Sequence, residues 1–527
     1  MHTPHSAKKQ AIIILILALI LMVSPMVQAQ SSKPAAVDYD LNALETGWQS
    51  WKNAYVTSDQ AGASPRLRVK TPDMANQTVS EGQAYGMLIA AALEEQSTFN
   101  GLWMYASDHL DANGLMHWRT NGYGNITGYG AATDADVDIA LALVMACQHV
   151  QNGVWSADQF DYCALATEMI SAIWETEVDH PGPGPFAGLD NNPGYELIPG
   201  DLFYQKIDYP NGIVNLSYFS PAHFRVFAEF TGNQGWYEVI NRNYEIASLV
   251  QANSCAGLVS NWNSYDGAVV SPGFYTNDSA AWGWDAARFA WRVALDRYWF
   301  GSAEAGQALN PIGSFFASVG VQNIKSEYNL DGTALNSYSN MFFVVNGAVA
   351  VWAAPEISPM NCGAVSGSIR TSNGQAAYDA FIRTSKDNMY YGDSWYVLGM
   401  LLMSGNLQNP LEGGFTPPTV TPTDEPTVAP TAEPTEEDTP QPPTDDPNEN
   451  QPPSIAGIGT QRSSVGQNVN LTVIANDPEG SALRYDDQDT LPDGLSMGAA
   501  NGVISGAIAP SATTSTVTIN VTDAEGL

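Results

Sequence analysis

Residues 132–150 read ATDADVDIALALVMACQHV, a run of acids that leads directly into a long apolar segment. Apolar side chains recur in this segment at the spacing of one helical face, at Val137, Ala140, Leu141, Val144 and Cys147. The pattern predicts an α-helix that begins with Asp134, Asp136 and Asp138. These carboxylates exceed what one helix cap requires. Because crowded carboxylates raise one another's pKa, they suit an acid that must hold a proton near neutral pH.

Two further acids also lie near the starts of predicted helices. Glu81 precedes the apolar pattern of Gln83–Glu95, and Asp285 lies near the start of the pattern over Ala281–Phe300. Each has an ordinary structural explanation, since Glu81 completes a capping box and Asp285 with Arg288 makes an i, i+3 pair. Carboxylates gathered at helix starts, in a chain with 14 Trp and 23 Tyr, also indicate acid–base chemistry on a sugar.

Helical patterns dominate from residue 38 to residue 408, which we interpret as one large all-α domain. The loops between them are long and rich in Gly, Asn, Pro and Tyr, and long loops on a helical scaffold usually carry function. No heptad repeat runs through the region, so a closed ring of helix pairs is favoured over a coiled coil. The remaining helical patterns cover Ala157–Trp174, Pro221–Phe230, Trp236–Gln251, Met341–Ala354 and Trp395–Met403.

The composition changes after this domain. Residues 415–453 contain 12 Pro and 9 Asp or Glu without Lys or Arg, which predicts a disordered linker. Residues 454–527 alternate in hydrophobicity and predict a small β-sandwich. The given sequence ends directly after a predicted strand, so we expect this module to be truncated. The turn acids Asp477, Glu479 and Asp523 could bind calcium, although such acids are common at strand ends without a metal.

The first 29 residues predict a secretory signal peptide. Lys8 and Lys9 precede an apolar run of 13 residues, Ala11–Val23, which is too short to span a bilayer, and cleavage is expected after Ala29. We therefore expect a secreted, extracellular protein without a membrane anchor after cleavage. The net charge of −35 argues against nucleic acid and anionic membranes as partners.

Four cysteines in an oxidising compartment predict disulfides, and three pairings are possible. Cys147 near the end of one helix and Cys163 near the start of the next would make a local bridge, which leaves Cys255 with Cys362. The absence of CxxC spacing and the scattered histidines argue against a zinc site.

Five strings resemble, in the same order, the motifs of glycoside hydrolase family 8. They are SEGQAYGM at 80–87, ATDADVDIA at 132–140, NLSYFSPAHFR at 215–225, WDAAR at 284–288 and Tyr390-Tyr391. The resemblance covers about residues 40 to 406. Three positions depart from the family's pattern: Trp284 replaces a tyrosine beside the base, and Leu216 and Ala290 each replace a proline.

The resemblance implies an (α/α)6 barrel in which parallel inner helices bring their N-termini to one mouth. It implies that Glu81 is the general acid, that Asp285 is the base that activates water, and that Asp134 holds and distorts the sugar at the cleavage subsite. Arg225 and Arg288 would orient substrate or carboxylate. Inversion is the expected outcome, and neither a metal nor an organic cofactor is implied.

Aromatic side chains are expected to stack on the sugars, although most of the 14 Trp must be core residues. Trp118 and Tyr391 are the main candidates, with Tyr218, Tyr123 and Tyr129 after them. We assign no role to His117 or His223.

These observations together predict a secreted, endo-acting glycosidase that cleaves β-1,4 links in a cellulose-like glucan. The same chemistry on xylan or chitosan is the alternative. A non-catalytic carbohydrate-binding or adhesion protein is a rival from another class, and a lyase fits so acidic a chain poorly. The C-terminal segment resembles an Ig-like or cadherin-like module, which could contact a cell surface or a polysaccharide.

Overall fold

The structure is a computed structural model. It describes residues 33–157, 160–180, 194–202, 209, 211–273, 275, 277–363, 365–386, 388–413, 453–455, 466, 468–473, 475–476, 481, 483–488, 490–512 and 517–523. They divide into a helical unit, residues 33–109 and 115–413, and a second unit, which contains residues 110–114 and the strands within 453–523. Each unit is described by itself. The predicted signal peptide lies outside the described residues, as does nearly all of the predicted linker.

Twelve α-helices form the described part of the helical unit. In chain order they are α1 Leu41–Tyr55, α2 Ser80–Ala92, α3 Gln96–Ser107, α4 Thr133–Gln151, α5 Tyr162–Glu177, α6 Pro221–Thr231, α7 Gly235–Gln251, α8 Arg288–Phe300, α9 Ala303–Val319, α10 Met341–Ala353, α11 Gly374–Ile382 and α12 Tyr390–Met403.

The even-numbered helices pack on one another in a closed inner ring, in the order α2, α4, α6, α8, α10, α12 and back to α2. Each odd-numbered helix packs outside the even-numbered helix that precedes it, and α1 closes the outer ring against α12. The inner helices carry the apolar patterns that are buried on all sides; in α10 every residue is buried. The predicted (α/α)6 barrel is therefore confirmed.

Short antiparallel strands connect the helices. They are β1 Val56–Thr57, β2 Arg68–Val69, β3 Thr78–Val79, β4 Arg119–Thr120, β5 Ile126–Gly128, β6 Val178–Asp179, β7 Glu196–Leu197, β8 Asn361–Cys362 and β9 Val365–Ser366. The strands β3, β4 and β5 form one sheet in that order, and β3 runs directly into the first residue of α2. This sheet therefore leads into the start of an inner helix.

Two disulfides brace the helical unit. Cys147 pairs with Cys163 and ties α4 to α5, and Cys255 pairs with Cys362 and ties the segment after α7 to β8. The local bridge that the sequence favoured, together with its complement, is confirmed.

The C-terminal unit is strand-rich, as expected. Its strands are β10 Ser454–Ile455, β11 Asn468–Thr472, β12 Ala475–Asn476, β13 Arg484–Asp486, β14 Leu495–Met497, β15 Val503–Ala507 and β16 Asn520–Thr522. They pair as β10–β12, β11–β15–β14 and β13–β16, all antiparallel. Of the proposed calcium ligands, Asp477 and Glu479 lie outside the described residues.

Within the described part of the chain, no helix is both long and apolar enough to cross a membrane. Nor do those residues contain a group of three or more His, Cys, Asp or Glu side chains arranged to hold a metal ion.

Candidate active site

Arg288, the first residue of α8, is the centre of the site. Its Nη1 donates a hydrogen bond to Glu81 Oε2 at 2.6 Å and another to Asp134 Oδ2, while Nη2 donates to Asp285 Oδ1 at 3.0 Å. One guanidinium thus joins three carboxylates that are far apart in sequence. The structure brings together all three predicted carboxylates and one of the two predicted arginines.

None of these carboxylates belongs to an N-cap residue, although Asp134 Oδ1 accepts from the backbone N–H of Ala135 in the first turn of α4 at 3.0 Å. The residues before α2 and α4 are Val79 and Ala132, and neither helix has a side-chain cap. The capping explanations that the sequence allowed for Glu81 and for the Asp134 cluster therefore do not apply. Since α2, α4 and α8 all present their first turns to Arg288, these inner helices begin at the same end of the ring.

Burial and mutual repulsion decide the charge state of this cluster. Desolvation raises the pKa of Glu81 to about 8, with the carboxylates of Asp134 and Asp285 adding to the effect and Arg288 opposing it. Burial also raises the pKa of Asp134, again against the attraction of Arg288 and Arg292. With this pKa, Glu81 is mostly protonated at neutral pH.

A second tier of charged side chains, formed by Asp138, His223 and Arg292, lies one helical turn further along the inner helices. Arg292 donates to both carboxylate oxygens of Asp138, with Nη2 2.8 Å from Oδ2, and His223 Nε2 lies 2.8 Å from Oδ1. Although burial opposes it, Arg292 and His223 lower the pKa of Asp138 to about 2. The sequence places Arg288 and Arg292 on one helical face, where one of them could hold a buried Asp in its ionised state, and Arg292 does so with Asp138. The part of His223 was missed.

Asn261 positions the backbone of Asp285 and was not singled out from the sequence. Its Oδ1 accepts hydrogen bonds from the backbone N–H groups of Asp285, at 3.2 Å, and of Ala286, at 2.9 Å. A Cβ at Gly283 would lie 2.5 Å from the Asn261 amide, so the close approach requires glycine there. No local sequence pattern connects residue 261 with residue 285.

Two buried phenols flank the acid. Tyr85 and Tyr390 are 0% and 5% exposed, and neither hydroxyl has a hydrogen-bond partner among the described residues. A Cβ at Gly82 would lie 2.4 Å from the Tyr390 hydroxyl, so the glycine after Glu81 lets this ring approach α2. Both hydroxyls are available to ordered water near the acid.

The predicted sugar-stacking residues fall into two groups. Trp118 is 38% exposed just before β4, with the Arg119 guanidinium 4.4 Å from its ring, and Tyr123 and Tyr129 are 77% and 67% exposed on the same sheet. Tyr218 and Tyr391 instead line the carboxylate cluster.

Tyr218 and Tyr391 are half-buried beside the cluster. The Tyr218 ring lies 5.5 Å from the Arg288 guanidinium, and the Tyr391 hydroxyl donates to the backbone oxygen of Trp284 at 3.2 Å. The Trp284 ring stacks on Phe342, with centroids 5.7 Å apart. Trp284 thus belongs to a group of packed aromatic rings next to Asp285.

Arg225 lies elsewhere. Its Nε donates to Asp296 Oδ1 at 2.7 Å, and the Tyr244 hydroxyl donates to the other oxygen of the same carboxylate at 2.6 Å. These contacts join α6, α7 and α8. Arg225 therefore orients a structural carboxylate in this structure, and it is not brought to Glu81, Asp134 or Asp285.

A closed ring of helix pairs with acids converging at the starts of its inner helices is the architecture of an (α/α)6 glycoside hydrolase. The chain belongs to the glycosyl hydrolases family 8, whose sequence profile matches residues 15–401. An Ig-domain profile matches residues 452–527.

Similar proteins include Endoglucanase 2 of Ruminiclostridium josui, 39% identical over 59% of this chain and 62% of that protein. Endoglucanase C of Ruminiclostridium cellulolyticum is 34% identical over 70% of this chain and 72% of the relative. Among solved structures, the apo β-1,3-1,4-glucanase of Paenibacillus sp. X4 is 25% identical, with a TM-score of 0.59 over 71% of this chain and 96% of that one.

Proposed function

We propose that the helical unit hydrolyses β-1,4 links inside a cellulose-like glucan, with Glu81 as general acid and Asp285 as general base. The observation that carries this proposal is the convergence of Glu81, Asp134 and Asp285 on Arg288 at one end of the inner ring. An adhesion or binding module would not require a buried cluster in which one carboxyl is kept protonated.

In the proposed reaction, Glu81 gives its proton to the glycosidic oxygen as the bond from that oxygen to the anomeric carbon breaks. Water attacks the opposite face of the anomeric carbon and passes a proton to Asp285, so the configuration inverts. Asp134 accepts hydrogen bonds from the sugar at the cleavage subsite, where a distorted ring lowers the barrier.

The contacts of Arg288 set an upper limit on the separation of Glu81 and Asp285. Glu81 and Asp285 contact the two terminal nitrogens of one guanidinium at 2.6 Å and 3.0 Å. Those nitrogens are separated by about 2.3 Å, so the two carboxylate oxygens lie at most about 8 Å apart. Inverting enzymes have carboxyls roughly 6.5–9.5 Å apart and retaining enzymes roughly 5–5.5 Å apart, so this limit allows both courses, and inversion is proposed from the family resemblance.

The relatives support a glucan as substrate. Three relatives named endoglucanases are 31–39% identical to this chain, whereas a reducing-end xylose-releasing exo-oligoxylanase is 24% identical. The same chemistry on xylan is therefore the second candidate, followed by chitosan. The half-buried Trp284 and Tyr391, which pack on the buried Phe342, supply apolar surface for a sugar ring next to the proposed base.

We also propose that the protein is secreted through the leader at residues 1–29 and acts outside the cell. The two disulfides fit an oxidising compartment. The Ig-like module is proposed to contact a cell surface or a polysaccharide.

An NMR time course of the released anomer tests activity and stereochemistry together. Soluble cellulose, xylan and chitosan are supplied in parallel, and we expect the α-anomer to appear first on the glucan. Appearance of the β-anomer first would contradict inversion, and unsaturated products would reveal a lyase.

Glu81→Gln tests the acid. We expect at least a 1000-fold loss of polysaccharide hydrolysis with polymer binding retained, since the amide keeps the shape but has no proton to give. Glu304→Gln, the same change in the first turn of the outer helix α9, serves as the matched control and should stay active. Full activity of Glu81→Gln would rule out the assignment.

A further inference from the structure

We propose that Asp138 is a positioning residue for the acid: its carboxylate neutralises Arg292, so that this second guanidinium does not draw the proton from Glu81. The inference rests on the proposed function and deepens it, because it assigns control of the acid to a carboxylate one helical turn beyond Asp134.

Arg292 lies next to the carboxylate cluster. Its Nη2 is 3.5 Å from the backbone oxygen of Asp134, whose carboxylate shares Arg288 Nη1 with Glu81. The Arg292 side chain is 1% exposed, and a charge that water does not screen acts over a long range. Burial is the largest influence on the pKa of Glu81 and raises it, but Arg292 lowers it.

Asp138 offsets the charge of Arg292. Both of its carboxylate oxygens accept hydrogen bonds from this guanidinium, with Oδ2 2.8 Å from Nη2. Burial opposes ionisation of Asp138, yet Arg292 and His223 lower its pKa to about 2. At neutral pH the carboxylate is therefore ionised, and the pair that it forms with Arg292 carries almost no net charge.

His223 supports Asp138 without adding a charge. Its Nε2 lies 2.8 Å from Asp138 Oδ1 and donates to it, because a carboxylate only accepts. Burial lowers the pKa of His223, so the ring is neutral at neutral pH. A lysine at this place would instead bring a second cation that Asp138 would have to offset.

The other titratable groups of the inner ring do not take the place of Asp138. Asp134 and Asp285 already share Arg288 with Glu81, and α10 has no titratable side chain. Burial raises the pKa of each phenol that interacts with the cluster, so these phenols are neutral: Tyr85, Tyr218, Tyr275, Tyr390 and Tyr391. Among the described residues, Asp138 is therefore the anion that offsets Arg292.

The test is the position of the basic limb of kcat/KM on soluble cellulose, which reports loss of the proton from Glu81. Asp138→Asn leaves Arg292 without its anion, and the uncompensated cation favours ionised Glu81. We expect the limb to move from about 8 to lower pH. The shift should be about one pH unit, the effect of a unit charge roughly 10 Å away at an effective dielectric constant of about 20.

Arg292→Gln is the reciprocal variant, because it removes the cation and retains the anion. Its basic limb should move to higher pH. Both variants break the same ion pair, so a merely structural role predicts lower stability for both and no shifts of opposite sign. If one variant does not fold, the direction of the shift in the other still decides.

Asp296→Asn is the matched control. Asp296 is 0% exposed on α8 and binds Arg225 at 2.7 Å, so this variant breaks another buried ion pair, away from Glu81. Its basic limb should coincide with that of the parent.

A limb that stays in place or rises in Asp138→Asn, or that stays in place or falls in Arg292→Gln, would overturn the role of Asp138 alone. If the parent itself hydrolyses no polysaccharide, the proposed function fails instead.

Discussion

At the scale of single residues, the site contains one guanidinium, that of Arg288, surrounded by three carboxyl groups. Arg288 is 2% exposed and contacts Glu81, Asp134 and Asp285, so full ionisation would leave uncompensated negative charge in a poorly solvated place. Protonating one carboxyl relieves this repulsion. Glu81, with a pKa of about 8, is the group that takes the proton.

The pH dependence of hydrolysis follows from the raised pKa of Glu81. A carboxyl with a raised pKa is protonated below that value and ionised above it, so the acid is lost as pH rises. We expect kcat/KM on a polysaccharide to fall as pH rises through about 8. The measurement is a pH profile of the parent, with Glu81→Gln on an activated substrate as the control that should lack this basic limb. A limb near pH 4.5 would contradict the prediction.

Arg288→Lys tests the shared guanidinium. Lysine keeps the charge but presents one point rather than a planar fork, so it cannot hold three carboxylates at once. We expect kcat to fall at least about 100-fold, as when a group that stabilises transition-state charge is removed. Arg66→Lys, in an exposed pair with Asp108, is the control and should change kcat less than twofold. Comparable activity of the two variants would show that Arg288 is dispensable.

At the scale of elements, side-chain caps do not separate inner from outer helices: the inner helix α10 is capped by Asn340, and the outer helices α3 and α7 have no side-chain cap. The outer helices α1, α5, α9 and α11 are capped by the side chains of Asp40, Asp161, Ser302 and Asn373. The helices α2, α4, α8 and α12, whose starts line the site, have no side-chain cap. A cap contributes about 1 kcal/mol, so leaving these starts open to the site forgoes a measurable amount of stability.

The second tier stabilises the inner ring by joining α4, α6 and α8 through Asp138, His223 and Arg292. Asp138→Asn leaves a buried arginine without its anionic partner, which costs about 3–5 kcal/mol. We expect a lower free energy of unfolding at pH 7, measured by urea titration. Asp108→Asn, at the exposed pair with Arg66, should cost less than about 1 kcal/mol.

The loss of unfolding free energy in Asp138→Asn should depend on pH. The folded pKa of Asp138, about 2, lies below the usual unfolded value near 3.9. Its contribution is therefore fully present above about pH 4 and is lost as pH falls through the folded pKa. The difference between parent and Asp138→Asn should shrink toward pH 2. A difference that stays constant would contradict this account.

At the scale of the whole helical unit, the closed ring has no free edge helix, and the disulfides add long-range constraints. The bridge Cys147–Cys163 closes a loop of 16 residues, and Cys255–Cys362 closes one of 107. Chain entropy in the unfolded state makes the longer loop the more stabilising bridge.

Replacing each disulfide-bonded cysteine pair by two serines tests whether the longer loop contributes more to stability. We expect losses of about 3 kcal/mol for Cys147–Cys163 and about 5 kcal/mol for Cys255–Cys362, seen as lower melting temperatures. Reduction of the parent should approach the sum of the two losses. A larger effect of the shorter loop would indicate that local packing around Cys147, rather than chain entropy, dominates.

The sequence by itself determined the features that depend on nearby residues. Helical spacing, as in residues 132–150, predicted the inner helices, and alternation predicted the C-terminal strands, because burial of one face leaves a period in the chain. Motif strings identified Glu81, Asp134, Asp285 and Arg288 through their resemblance to one family.

Only the tertiary structure decided what these residues contact. It showed that one guanidinium serves three acids, that Arg225 serves Asp296 instead, and that Asn261 holds Asp285. The physical reason is that ring closure and long loops bring together positions with no periodic relation, and pKa values follow from burial, which a linear pattern does not specify.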